Sequence, residues 1–342
     1  MSMMFSGWNI GSLKLKNRIV MPPMVMYKSS DGMANDFHFV HYAARAIGGV
    51  GLIIVEATAV EDRGRITDND LGIWDDRHIE GHARINELCH RFGAKTALQI
   101  AHAGRKSIVS DSQPIAPSSI IFANDGVFKV PHEMEWGDIQ TARQSFVKAA
   151  MRAKEAGYDA VEIHAAHGYL IYEFLSPLTN QRTDEYGGSF DNRCLFLMEI
   201  LRDIKKYAPE LPVIVRISAD EWVDGGWNID DTVELSKRLQ NAGVNAIHVS
   251  AGGNHLQQPN MPKLLPMYQC NYAKAVKDAV DIPVIAVGLI TTEQEGEKLI
   301  LDGTCDAVAY GRELLRNPNF PHYAAKTFGE VSNIDPSYLR AF

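Results

Sequence analysis

Along this chain, short apolar runs alternate with stretches in which apolar residues recur every three or four positions. Val50-Gly-Leu-Ile-Ile-Val-Glu-Ala is apolar almost throughout, as is Ala160-Val-Glu-Ile after Gly157. Runs of this kind read as strands buried on both faces, whereas the 3.6-residue spacing reads as amphipathic helix. The first strand is Arg18-Ile-Val-Met, ended by Pro22 and Pro23, which cannot continue a ladder. The pattern then predicts strands at 50–57, 95–100, 159–163, 212–217, 245–249, 282–287 and 306–309. Helices are predicted at 36–47, 79–92, 138–156, 191–207, 230–242, 269–279, 292–301 and 312–316.

Eight strand–helix units in unbroken succession point to an α/β fold, a single closed (β/α)8 TIM barrel over residues 1–342. An open doubly wound sheet would carry G-x-G-x-x-G after its first strand, where this chain has Pro22-Pro-Met-Val-Met-Tyr. Residues 1–16 read as an N-terminal hairpin, and 103–137, with Pro114, Pro117 and Pro131, as an insertion after the third strand. Following a strand end, that insertion belongs to the active face as a lid or rim, its bland alternative being a surface excursion. Residues 330–342 form a C-terminal tail.

Composition narrows the classes. With 342 residues, 46% hydrophobic and 22% charged, the chain has ample material for a core. A formal charge of −8 opposes a nucleic-acid or anionic-membrane surface. Cys89, Cys194, Cys270 and Cys305 show no C-x-x-C spacing, so neither a zinc knuckle nor a disulfide framework is expected. The N-terminus lacks a signal-peptide pattern, and no apolar run approaches the roughly 20 residues that span a bilayer. The expectation is a cytoplasmic protein with no nucleic-acid or membrane partner.

Chemistry in such barrels lies where strands end. His164, His167 and Tyr169 cluster after the fourth strand, followed by what reads as a long polar loop with Gly187-Gly188. They read either as donors to a substrate oxygen or as buried groups satisfying the backbone; no third ligand supports a metal site. Gly288 with Thr291-Thr292, and Gly311 with Arg312, follow strands seven and eight. They read as a phosphate cradle at helix starts, or alternatively as tight turns. Glu56, Asp184 and Glu185 read equally as loop anchors or as acids. No lysine is found at an inner strand end, which disfavours a cofactor-free barrel lyase or isomerase.

The stretch His164-Ala-Ala-His-Gly-Tyr-Leu-Ile-Tyr-Glu-Phe-Leu-Ser-Pro-Leu-Thr-Asn-Gln-Arg-Thr-Asp-Glu-Tyr-Gly-Gly-Ser, continuing to Asn192-Arg193, resembles the signature of the Old Yellow Enzyme family. The similarity is greatest to its bacterial, short-chain branch of ene-reductases. Leu15-Lys-Asn-Arg-Ile-Val-Met, Leu71-Gly-Ile-Trp, Leu98-Gln-Ile-Ala-His-Ala-Gly-Arg-Lys and Gly311-Arg-Glu-Leu-Leu-Arg extend it over essentially the whole chain.

The resemblance implies non-covalent FMN, reduced by NADPH or NADH, delivering hydride from N5 to the β-carbon of α,β-unsaturated carbonyl compounds. Pro22, Pro23, Met24, Val25 and Ala57 would line the flavin, and Gln99 would bond its pyrimidine ring. Arg216 would sit near N1 and O2, with Gly288, Gly311 and Arg312 at the phosphate. His164 and His167 would bind the substrate oxygen, Tyr27 would add a bond there, and Tyr169 would protonate the α-carbon. Many members of that branch carry cysteine where this chain has Val25, so an altered flavin potential and substrate fit are expected. The family also implies activated alkenes, enones and nitro compounds among them, as substrates. It further implies a homodimer or homotetramer in which Arg340 reaches a neighbouring subunit. The remaining readings are an RNA uridine reductase, opposed by the acidic charge, and a flavin-binding sensor, which would not need Tyr169.

Overall fold

The computed structural model describes residues 2–331 and 334–342. Met1, within the expected hairpin, and Ser332 and Asn333, within the expected tail, lie outside the described residues. Eight parallel strands close a barrel: β1 (Ile19–Met21), β2 (Leu52–Ala59), β3 (Lys95–Ala101), β4 (Ala160–Ala165), β5 (Val213–Ser218), β6 (Ala246–Ser250), β7 (Val284–Ala286) and β8 (Ala307–Ala309). Each pairs with the next, and β8 pairs with β1 through Val308 and Ile19. The predicted (β/α)8 architecture is therefore the observed one.

Side-chain alternation sorts the core into two parts. Val20, Leu52, Ile54, Ala97, Ala160, Ile214, Ala246, Ile285 and Ala307 form an inner cluster with the hairpin residues Trp8, Ile10, Leu13 and Leu15. The hairpin, Trp8–Ile10 against Leu13–Leu15, thus plugs the amino end of the barrel. Burying side chains such as Ile10 and Leu15 contributes about 1.5–3 kcal/mol each. The other strand face packs against the helices in a larger cluster including Ile53, Val55, Leu98, Val161, Val215 and Val249.

Helix ends follow their local chemistry. Asn228 accepts from the backbone N–H groups of Asp230 and Asp231 and so caps the helix Ile229–Asn241. A cap of this type is worth about 1 kcal/mol.

Three elements depart from the sequence reading. The supposed polar loop after β4 opens with a helix, Leu170–Leu175, in which all six residues are buried. One and a half turns are too short to show a period, so its apolar run could not be told from loop or strand. A second helix, Phe320–Phe328, follows the last predicted one. Within 103–137, a 3-10 turn at Gly104–Lys106 and a two-stranded pairing of Ile115–Ala116 with His132–Glu133 give the insertion its own framework. None of the helices among the described residues is long and apolar enough to cross a membrane.

Candidate active site

Because strand side chains alternate, Ala160, Glu162 and His164 share the inner face of β4, stacked from the plugged end towards the open one. Register extends this layer by layer: Gln99 lies beside Glu162, while His164, Arg216 and His248 lie beside one another on β4, β5 and β6. The barrel is apolar at its amino end and polar at its carboxyl end, where the site residues gather.

The chain reverses sharply after β4. His167 sits at φ 59° and Gly168 at φ 69°, both left-handed. A Cβ on Gly168 would lie 2.5 Å from Asn254 Cα, so glycine is required there. His167 holds a backbone conformation that costs an L-residue about 1–3 kcal/mol, found where surrounding contacts over-determine it. Those contacts are present: the His167 N–H donates to Ser218 Oγ at 2.9 Å, and Ser218 Oγ donates to Gly252 O at 2.8 Å.

The result is a tight aromatic group. The rings of His164 and His167 are 5.3 Å apart and those of His164 and Tyr169 are 4.9 Å apart, both edge-on. The Ala166 N–H donates to His164 Nδ1 at 3.3 Å, which places the proton of that neutral ring on Nε2. His167 Nε2 lies 2.8 Å from Ser250 Oγ; with that hydroxyl donating, its proton sits on Nδ1. Burial, reinforced by the Arg216 charge, pushes both imidazoles well below their ordinary pKa, so they are neutral donors. Burial also raises the Tyr169 phenol, which stays protonated.

Sequence reading missed Lys106. Its Nζ lies 4.8 Å from the Tyr169 ring centroid and donates to His167 O and Gly253 O, each at 3.0 Å. Burial lowers its pKa to about 8. Lys106 is not at a strand end but enters from the turn five residues past β3.

A cavity of about 290 Å³ opens beside this group, lined by Pro22, Pro23, Met24, Arg216, Gly288, Gly311 and Arg312 among others. Seven of the ten residues expected at a cofactor therefore meet around one space. Ala57 lines not this cavity but a small void of about 10 Å³ that it shares with Tyr169. Gln99 is buried and joined to Glu162, and Val25 is half-buried in the loop after β1. Glu56 is a loop anchor: it accepts from the Met26 N–H at 2.8 Å and from Tyr42 Oη at 2.9 Å.

The residues present fit FMN. Arg216 Nε and Gln269 Oε1 are buried beside the cavity without a partner among the described residues, a donor and an acceptor awaiting a polar ligand. Gly288, at φ 136°, passes so close to Gln269 that a Cβ would lie 2.5 Å from its Cγ.

One expected part of the cradle is corrected. The N–H groups of Thr291 and Thr292 both donate to Glu295 Oε2, at 2.8 and 3.1 Å. That helix start is already capped by its own carboxylate and does not offer those groups to a phosphate. Tyr27, at φ 54°, is about half exposed at 46% and does not line this cavity. Arg340 is exposed in a 3-10 turn, Pro336–Ala341, and does not line this cavity. The neighbouring Phe342 packs its ring 4.8 Å from Tyr323. No group of three or more potential metal ligands occurs among the described residues.

Comparison with known proteins agrees with this geometry. Residues 3–329 match the model of the NADH:flavin oxidoreductase / NADH oxidase family. The chain is 46% identical over 343 residues to an NADPH dehydrogenase of Geobacillus sp. (strain WCH70), covering 100% of this chain and 99% of that one. It is 47% identical over 325 residues to an NADPH dehydrogenase of Bacillus subtilis (strain 168), covering 94% of each. Among solved structures, morphinone reductase in complex with tetrahydroNAD superposes with a TM-score of 0.80 at 29% identity, covering 98% of this chain and 93% of that one.

Proposed function

The chain belongs to the NADH:flavin oxidoreductase / NADH oxidase family, and from that premise we propose that it reduces the C=C bond of α,β-unsaturated carbonyl compounds and related activated alkenes. The broader activity, FMN-dependent oxidation of NADPH or NADH, is that of the family, and FMN is its cofactor. The observation that carries the finer reading is the neutral pair His164 and His167 packed beside a protonated Tyr169.

When bound, FMN supplies two-electron hydride chemistry between the nicotinamide and the alkene. Arg216 and Gln99 would hold the isoalloxazine, with Pro22 to Val25 and Ala57 along it and Gly288, Gly311 and Arg312 at the phosphate. His164 Nε2–H and His167 Nδ1–H would bind the substrate carbonyl oxygen and stabilise negative charge developing there. Removing one such donor costs about 10²–10³ in rate. Tyr169 would give its phenolic proton to the α-carbon. The Lys106 ammonium near the ring then stabilises the phenolate left behind. Tyr27 would add a bond at the substrate oxygen.

The whole chain would work as one catalytic unit. A homodimer or homotetramer would bring Arg340 to a neighbour's site. Deleting residues 338–342 is then expected to raise the apparent KM for the alkene, and unchanged kinetics would end that part of the reading.

The decisive experiment is an anaerobic absorption spectrum of the purified protein. A yellow protein bleached by NADPH and recoloured by 2-cyclohexenone is the expected result. Bleaching without recovery by any enone would remove the alkene assignment and leave the oxidoreductase.

A further inference from the structure

Glu162 stands at the centre of the barrel, fully buried, on the layer beneath His164. Its two oxygens each have a partner on a different strand. Gln99 Nε2 donates to Oε1 at 2.8 Å, and His248 Nδ1 lies 2.8 Å from Oε2. An amide facing a carboxylate must present its nitrogen, because a carboxylate only accepts. The Gln99 amide is therefore directional: its Nε2 is committed to Glu162 and its Oε1 is the end left for a ligand. His248, protonated on Nδ1 towards Glu162, is likewise held in one tautomer, and its Nε2 is buried without a partner among the described residues.

The same carboxylate, one inward layer below Arg216 on the adjacent strand, is the largest of the charges that offset the burial of that guanidinium, ahead of the Tyr169 and Tyr268 phenols, and Arg216 Nε has no partner among the described residues. Two cations, Arg216 and Lys106, lie on or near the open end, beside the imidazoles of His164, His167 and His248, whose pKa values burial lowers. Nothing in the alkene chemistry requires a buried glutamate, and burying a charge is costly unless partners compensate.

We infer that Glu162 is a positioning residue for the flavin: it fixes Gln99 as a hydrogen-bond acceptor towards the pyrimidine N3–H and supplies the negative charge that moderates Arg216, so setting the flavin's reduction potential. The inference rests on the reading of this site as an FMN site. It assigns two separable roles to one side chain, direction through Gln99 and charge through Arg216.

The test uses Glu162→Gln and Glu162→Asp, reading FMN dissociation by the recovery of flavin fluorescence and the midpoint potential by dye equilibration. Neither measurement depends on turnover. Glu162→Gln removes the charge and lets the Gln99 amide turn over. Its potential should rise, with the reduction equilibrium shifted about tenfold, or ~30 mV for a two-electron couple. Its FMN dissociation constant should increase about tenfold, one hydrogen bond's worth. Glu162→Asp keeps the charge but retracts it, so FMN should bind more weakly while the potential stays near wild type.

In a Gln99→Leu background, Glu162→Gln should no longer affect FMN binding. An unchanged potential and dissociation constant in Glu162→Gln would overturn the inference. So would an equal loss of FMN binding from Glu162→Gln with and without Gln99. Should Glu162→Gln not fold, Glu162→Asp decides alone: FMN affinity equal to wild type overturns the positioning role. A wild-type protein that takes up no FMN sinks the site reading itself, a result distinct from all of these.

Discussion

Lys106 Nζ lies 4.8 Å from the centroid of the Tyr169 ring while bonded to the main-chain oxygens of His167 and Gly253. A cation is thus fixed between the proposed proton donor and the loop after β6. Burial lowers its pKa to about 8, so the charge is present at neutral pH and lost as pH rises through that value. The alkene-dependent half-reaction should fall with an apparent pKa near 8. Lys106→Met should abolish that inflection and slow the step about tenfold, equivalent to ~1.4 kcal/mol. Stopped-flow reoxidation of the reduced enzyme between pH 6 and 9.5 measures both; an unchanged profile in the variant refutes the role.

Tyr169→Phe separates proton transfer from flavin reduction. Loss of a positioned general acid costs about 10²–10⁴ in rate. The expected outcome is a slowed reoxidation by enone with reduction by NADPH within a few-fold of wild type. Equal slowing of both half-reactions would indicate a packing defect instead.

Gly168→Ala tests the reversal that carries His167. The added Cβ would meet Asn254 Cα at 2.5 Å at a φ of 69°, so backbone must shift. A loss of about 1–3 kcal/mol of stability is expected in urea unfolding. It should be accompanied by a raised KM for the alkene, since the turn aims His167.

Two buried carboxyls give the stability a pH dependence. Burial raises Glu173 to about 8, offset by Arg105 and its N–H donated to Oε1 at 2.9 Å. Burial likewise raises Glu56 to about 7. Both pKa values lie above the unfolded one near 4.5, so the folded state holds extra protons between them. Their contribution is complete below about 4.5 and is lost as pH rises through 7 and 8. Thermal midpoints should therefore decline from pH 6 to 8.5, and Glu173→Gln, which stays neutral, should flatten the upper part of that decline.

Much of this protein was legible from its sequence because periodicity is a local property. A strand buried on both faces must be apolar along its length, and a covering helix must repeat every 3.6 residues, so eight units could be counted and a closed barrel expected. The rule that strand ends carry chemistry then pointed to His164, His167 and Tyr169, and the family resemblance added Arg216. Other features depended on distance across the ring. Glu162 is an ordinary acid in Ala160-Val-Glu-Ile until register sets Gln99 and the pairing with His248 beside it. Lys106 lies in a turn, and only closure of the barrel brings it over Tyr169. The Thr291-Thr292 start looks like an anion site until Glu295 folds back onto it. Local pattern determined which segments are strands, which are helices and which ends carry the candidate site residues. Which buried groups share a proton, a charge or a hydrogen bond was decided by the fold, because those partners are 63 and 86 residues apart in the chain and 2.8 Å apart in space.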